Sequence, residues 1–387
     1  MDTSPPLADL VRGNNEFALD LYGRLAKGAG NRFISPFSVS CALAMTYSGA
    51  RGQTAAQIAR AMHFNLPAAD LHPAWHRLIS DLHDRNESST GPKSTPAVQL
   101  STANALWAQS GERILPEFQK LVESYYDGGL IPVDFRESPA AARDYINHWV
   151  EEHTGGKIKD LIKPGHIDSH TVLILTNAIY FKALWATPFA EKLTRPDDFH
   201  ASAGEKVRVD MMHLIGRFRY AEDAAAQVLE LPYQGGNLSM VVALPRTADG
   251  LPQLESALSL ARLDGWLGSL ADRRIDVNLP RFKLTAESEL KDALSSLGMP
   301  AAFAADKADF SGMTPTGEFA ISAVVQKAFV EVEEKGTEAA AATGVVMARA
   351  SMVQAPPPVF RADHPFLFLI RDNKTGSILF LGRLVRP

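Results

Sequence analysis

At 387 residues, 46% of them hydrophobic, the chain can bury a sizeable core, and length alone predicts two domains. A net charge of −5 gives no electrostatic footprint for nucleic acid, and no apolar run approaches the ~20 residues needed to span a membrane. Cys41 is the single cysteine, so an intrachain disulfide is excluded and the redox compartment stays open.

The N-terminus M-D-T-S-P-P-L-A-D-L lacks the basic start and apolar run of a signal peptide. Two expectations follow: retention in the cell, or a leader already removed. Asn14 or Asn15 is placed to cap a helix over which Phe17, Leu21, Tyr22 and Leu25 recur at helical spacing. Residues 32–40, R-F-I-S-P-F-S-V-S, pass from a short extended piece into an apolar helix reaching Tyr47, and further helices are predicted over 54–64 and 69–85. A strand over 98–109 precedes a helix over 116–126 and a short strand over 130–135. Ser138 is expected to cap a helix carrying Tyr145, Ile146, Trp149 and Val150, ended near Gly155-Gly156.

Residues 171–184, T-V-L-I-L-T-N-A-I-Y-F-K-A-L, are apolar at most positions of either parity, the pattern of a strand covered on both faces. Strands follow around 205–220 and 226–244, split by the turn residues Gly235-Gly236-Asn237. Helices are predicted over 251–270 and 288–297, and strands over 274–284, 319–333, 365–371 and 377–385, the last two joined by a turn over 372–376. Helices crowd the first half and long strands the second, which argues α+β with large mixed sheets. No linker or internal repeat divides the chain.

The stretch 332–360 organises the rest. Thr337, Ala339, Ala341, Thr343, Val345 and Met347 stand at alternate positions, and none is charged or larger than Met. As a strand, this set would share one face that could be buried without trapping a charge. The other parity begins with Glu338 and continues Ala340, Ala342, Gly344, Val346. Gly336 offers a permissive backbone just ahead. Alanine is a poor strand former and a good helix former, so the stretch is compatible with helix, loop or linker and also with a one-face-buried strand.

The run E-E-K-G-T-E-A-A-A-A-T (333–343) resembles the proximal hinge of the serpins in its inhibitory form. F-R-A-D-H-P-F-L-F (360–368) and F-L-G-R-L-V-R-P (380–387) resemble the serpin segments after the reactive-centre loop; 280–299 and A-D-F-S-G-M (308–313) match as well. I-S-P-F-S (34–38) resembles the segment whose serines, Ser35 and Ser38, lie beneath the central sheet where it must part. L-T-N-A-I-Y-F-K-A-L-W-A-T-P-F (175–189) resembles the central strand, with Asn177 in the shutter and Trp185 at the breach. Many serpins carry a histidine where this chain has Gln326, so a hydrogen bond to the Asn177 region is expected without the pH dependence of that histidine.

The resemblance implies one domain over 1–387: a large central mixed sheet, further sheets, about eight to nine helices and an exposed loop at about 336–358. It implies a monomeric suicide inhibitor of a serine endopeptidase, with a cysteine endopeptidase as the second option, extracellular or periplasmic, with no cofactor, nucleic acid or membrane partner. The hinge would comprise Glu334, Gly336, Thr337, Glu338, Ala339, Ala340, Ala341, Ala342 and Thr343. Family spacing from Glu334 places the reactive bond at Ala350–Ser351, hence an elastase-like or subtilisin-like target. Side-chain chemistry points instead to Arg349–Ala350 and a trypsin-like one, since Arg349 is the only basic residue between Lys335 and Arg361. A non-inhibitory serpin, acting as carrier, chaperone or storage protein, is the alternative; such members tend to have bulky, charged or proline residues in the hinge.

Other chemistry has weaker support. His72, His76 and His83 would share a helix face, but Pro73 occupies the position where a zinc-hydrolase pattern needs glutamate and suggests that His72 sits at the helix start. A solvated polar face is the alternative to a metal site there. Gly155-Gly156-Lys157 lacks the rest of a phosphate-binding loop, and no G-x-S-x-G elbow occurs. Asp70 to Arg85 offers only Arg77 and Arg85 as basic residues, so no polyanion cofactor is expected.

Overall fold

A computed structural model describes residues 4–87, 98–126, 129–201, 204–315, 319–337 and 355–387. In chain order the elements are α1 (Pro5–Leu25), β1 (Arg32–Ile34), α2 (Pro36–Gly49), α3 (Gly52–Ala61), α4 (Ala68–Glu87), β2 (Val98–Gln109), α5 (Pro116–Tyr125), β3 (Gly129–Val133) and α6 (Pro139–His153). There follow β4 (Leu173–Leu184), β5 (Arg195–His200), β6 (Lys206–Glu222), β7 (Ala226–Pro232), β8 (Leu238–Pro245), α7 (Leu251–Ser256), α8 (Leu260–Ser269), β9 (Ala271–Pro280) and β10 (Phe282–Glu289). The chain closes with α9 (Lys291–Ser296), β11 (Ala323–Glu333), β12 (Gly336–Thr337), β13 (Val359–Arg361), β14 (Phe366–Asp372) and β15 (Ile378–Leu384).

The central sheet runs β10-β11-β12-β4-β2-β3. It is mixed: β11 lies parallel to β4 and β2 parallel to β3, while β4 is antiparallel to β2. β4 is apolar on both parities because both faces are covered. Leu173, Leu175, Ile179 and Phe181 join the main core, whereas Ile174 and Ala178 pack with Trp107, Val325 and the α6 residues Ala142, Ile146 and Val150. α2 fills the main-core side, and apart from its last turn it is buried almost all round, as expected of an interior helix. Pro36 occupies its first turn and the Ser35 hydroxyl accepts from the Ser38 amide, closing that end.

The second sheet runs β1-β15-β14-β8-β7-β6-β9-β13, with β5 paired to the first half of β6. Phe380 of β15 packs against Phe181 of β4 at 5.6 Å and against Phe33 of β1 at 5.1 Å, so the two sheets meet through aromatic rings.

Several expected boundaries move. α1 starts at Pro5, so Asn14 and Asn15 lie within it and cap nothing. Asn15 instead donates to the Gly376 carbonyl and accepts from the Ile378 amide, joining the helix to the start of β15. The strand expected over 274–284 is two strands in different sheets, divided at Arg281, and the helix expected over 288–297 gives its first residues to β10. The helix expected over 251–270 breaks at 257–259, where Ser259 starts α8 by accepting from the Arg262 amide. Ser138 stands before α6 without a side-chain capping bond.

Candidate functional site

Gly336 and Thr337 form β12, a two-residue strand wedged between β11 and β4: Gly336 is opposite Glu333 and Leu184, Thr337 opposite Val332 and Ala183. Below this wedge β11 and β4 pair directly, from Phe329–Tyr180 down to Ala323–Ile174. The seam between them is therefore closed over most of its length and open at one end. Gly336 is required for a reason other than a permissive dihedral. A Cβ there would stand 2.0 Å from the Ala183 carbonyl oxygen, so only glycine lets the two backbones approach this closely, and its φ is not positive.

Thr337 is 0% exposed. Its hydroxyl lies 2.9 Å from that of Tyr233, whose ring stacks on Trp185 at 4.6 Å. Burial pushes the Tyr233 hydroxyl well up, so it stays neutral and serves as a plain hydrogen-bonding group. Trp185 ties the wedge down: its indole donates to the Glu333 carbonyl (3.0 Å) and its amide to the Lys335 carbonyl (2.9 Å). Glu334, in the turn between β11 and β12, is itself buried. Arg281 forks onto its two oxygens at 2.6 and 2.9 Å, and Thr194 donates at 2.6 Å. Burial acts to raise this carboxyl's pKa, but the bonds from Arg281 and Thr194 outweigh it and hold the group below the ordinary range.

Halfway down the seam a polar row crosses the apolar sheet. Asn104 of β2 is opposite Asn177 of β4, which is opposite Gln326 of β11. Gln326 donates to Asn177 Oδ1 and to the Ser35 carbonyl (2.9 Å), and accepts from the Ser35 amide (3.1 Å). Asn177 donates to Asn104 Oδ1 (2.6 Å) and Ser38 Oγ (2.5 Å); Ser38 Oγ in turn donates to Asn104 at 2.7 Å. Ser35 Oγ donates to the Leu379 carbonyl at 2.7 Å. The row ties β2, β4 and β11 to the start of α2 and to β15. A buried polar cluster of this kind is tolerated because its members satisfy one another.

The structure thus gathers Ser35, Ser38, Asn177 and Gln326 into one cluster, and Glu334, Gly336, Thr337 and Trp185 into a second at the open end of the seam. Glu338, Ala339, Ala340, Ala341, Ala342 and Thr343, and the bond candidates Arg349, Ala350 and Ser351, lie outside the described residues. Sequence reasoning missed Asn104, Tyr233, Arg281 and Thr194. Asn104 carried a signal: it is the one amide in A-N-A-L-W-A, a run otherwise apolar, and a buried amide needs a partner.

The histidine face does not form. His72 lies inside α4, which begins at Ala68 and carries Pro73 internally, and it is buried against the Tyr126 hydroxyl at 2.7 Å. Burial lowers its pKa to about 4. His76 and His83 are exposed. Neither a metal face nor a uniformly solvated one describes this helix.

The sequence profile of the serpin family (serine protease inhibitor) matches residues 12–387. The human leukocyte elastase inhibitor is 41% identical over 391 residues, covering 98% of this chain and all of that one; a serpin-like protein of Thermococcus kodakarensis is 41% identical over 381 residues, covering 98% and 86%. Among solved structures, uncleaved ovalbumin superposes with a TM-score of 0.88 at 33% identity, covering 98% of this chain and all of that one. Human thyroxine-binding globulin, complexed with thyroxine, gives 0.87 at 30% identity with 99% of each chain covered. On sequence and fold alike, the chain belongs to the serpin family.

Proposed function

We propose that this chain is an inhibitory serpin that traps a serine endopeptidase as an acyl-enzyme. The protease attacks the loop at Ala350–Ser351, or at Arg349–Ala350 as the second choice, and the freed strand then inserts between β4 and β11. The observation that carries this reading is the wedge: the chain already enters the seam as far as Thr337, a small side chain with its polar atom matched.

Continuing the same antiparallel register gives the next residues definite neighbours. Thr343 would arrive between Asn177 and Gln326, on the face of Ser38, and replace their mutual hydrogen bond with its own hydroxyl. Met347 would reach Leu173, the first residue of β4. Glu338 would lie between Lys182 and Glu331, while Ala342 would pass between Ala178 and Lys327 on the face packed by α6. The second parity therefore faces outward only at the start of the inserted strand, and its small residues matter from Ala340 onward. The fourteen residues from Thr337 to Ala350 span roughly 45 Å when extended, the scale of a whole protease domain.

A family with both an elastase inhibitor and a thyroxine-binding globulin does not fix the activity by name, so the alternative of a carrier or storage serpin has its own test. Incubation with pancreatic elastase, subtilisin and trypsin should give, with at least one of them, a 1:1 complex that survives boiling in detergent. Clean cleavage by all three with no such complex favours the non-inhibitory reading. Mass spectrometry of the peptide released from a complex decides the bond: a fragment beginning at Ser351 supports the first choice, one beginning at Ala350 the second.

A further inference from the structure

We propose that the cleft where α2, α3, α4 and α5 meet binds a small carboxylate carried on an aromatic ring. This ligand site does not depend on the inhibitory reading.

The cleft has a volume of about 500 Å3, within the ~300–1,000 Å3 usual for small-molecule sites. Ala55 of α3, Ala69 and Pro73 of α4 and Leu121 of α5 give it apolar walls, and no acidic side chain lines it. Arg51, between α2 and α3, supplies a charge. Its Nη1 donates to the carbonyls of Ser48 (3.0 Å) and Ala50 (2.7 Å), which anchors the guanidinium. Its Nε and Nη2 have no partner among the described residues. Gly312 shapes the seat: a Cβ there would stand 2.2 Å from the guanidinium carbon, so any side chain would push Arg51 aside. Asp309, nearby, accepts from the Ser311 amide at 3.1 Å and forms no ion pair with Arg51.

His72 is a second donor. It is 4% exposed, with Nδ1 against the Tyr126 hydroxyl at 2.7 Å. Donation from Tyr126 leaves the ring proton on Nε2, which has no partner among the described residues although the ring lines the cleft. Burial keeps the imidazole neutral, its pKa lowered to about 4, so one N–H is offered. Ala68 and Ala69 bring the free end of α4 to the cleft. Their amides have no partner among the described residues, and the aligned peptide dipoles of a 20-residue helix favour an anion there. Three groups therefore turn unmatched donors toward one cleft. The ring follows from the aromatic lining: Tyr125 stacks on His72 with centroids 6.2 Å apart, and Tyr47 tilts against Phe64 at 5.5 Å. A bare inorganic anion would leave this lining and the alanine walls uncovered.

Calorimetric titration of the intact chain with phenylacetate, phenylacetamide and inorganic phosphate tests the site. Phenylacetate should bind 1:1 with a Kd of about 1 mM or below. Phenylacetamide lacks the charge and phosphate lacks the ring, so each should bind at least about tenfold more weakly. Ala69→Trp, at an exposed position in the first turn of α4, fills the cleft and should abolish binding. Arg51→Met should weaken phenylacetate about tenfold and leave phenylacetamide unchanged. Because Arg51 also holds two carbonyls, a readout on the wild type stands beside that variant. The bound anion should raise the His72 pKa, followed through its ring-proton resonances, and the amide should not. No saturable binding of phenylacetate up to about 10 mM overturns the site. So does equal affinity for the amide or for phosphate, unchanged binding by Ala69→Trp, or an unmoved His72 titration. The inhibitory reading stands in each case.

Discussion

Gln326 hydrogen-bonds with both ends of its amide, and no atom in the row from Asn104 to Gln326 titrates in the physiological range. Parting of the sheet at this row should therefore be insensitive to pH between about 5 and 8. Gln326→His would change that. A buried neutral imidazole has a folded pKa below its unfolded value of about 6.5, so the stability it contributes is present at higher pH and lost as pH falls through that range. Melting of the variant should drop further from pH 8 to pH 5 than that of the wild type, in which the buried His72 alone contributes such a fall; parallel profiles would sink the argument. At the open end of the seam the decisive residue is Thr337. Thr337→Arg places a charge where the wild-type side chain is fully buried beside Tyr233, at a cost of several kcal/mol. It should convert inhibitor into substrate, read as the ratio of cleaved chain to covalent complex. Glu338→Arg should do far less, since the register puts that residue between Lys182 and Glu331 on the outer face. Equal damage from both would refute the alternation.

At the scale of elements, what was legible in the sequence and what was not divide along a physical line. β4 could be read because both its faces are buried, which prints as an apolar run, and α2 because a helix buried almost all round has few polar residues to confuse its pattern. The β9–β10 division could not, because both strands have strand composition and the break at Arg281 depends on a long-range partner, Glu334. Asn15 misled for the same reason: a helix-capping residue type was serving a contact with residues 376–378. Long-range ion pairs are likewise invisible until the fold brings them together. Arg383 of β15 is 6% exposed at its side chain and donates to both Glu255 oxygens (2.9 and 3.0 Å) and to the carbonyls of Ala26, Gly28 and Gly30, while Tyr22 also donates to Glu255. The clip binds α1, the loop after it, the end of α7 and β15. Glu255→Ala leaves a buried guanidinium without its counter-charge and should destabilise the intact chain by about 3–5 kcal/mol. Tyr22→Phe, which removes one donor to that carboxylate, should cost about 1.5–3 kcal/mol. Chemical denaturation of the two variants measures both, and a Glu255→Ala loss below that of Tyr22→Phe would mean the pair contributes no net stabilisation.

At the scale of the whole molecule, the central sheet holds a seam that, on the proposed function, the chain would fill from its own sequence. β11 and β4 are paired below the wedge by seven residues each, and admitting a strand replaces that single ladder with two. The residues from Glu338 to Met347 would then bond on both sides, and the gain, at a net ~1 kcal/mol per hydrogen bond, is about 10 kcal/mol before the packing of Val345 and Met347 is added. Against it stands the loss of the Gln326–Asn177 bond, which Thr343 would restore in kind. The intact molecule is on this argument the less stable of two packings, and the barrier between them is the closed seam and its polar row. A single cut between residues 344 and 354 frees the strand and should raise the melting temperature by on the order of 10–20 °C, taking about 1–2 °C per kcal/mol for a chain of this length. Calorimetry before and after a limiting nick by a protease that the chain does not trap makes the measurement. Pre-loading the intact chain with a synthetic peptide of residues 337–347 should give a similar rise and abolish inhibition, because the seam is then occupied. A nicked chain that melts with the intact one, and a peptide that neither stabilises nor blocks, would together show that the seam never opens.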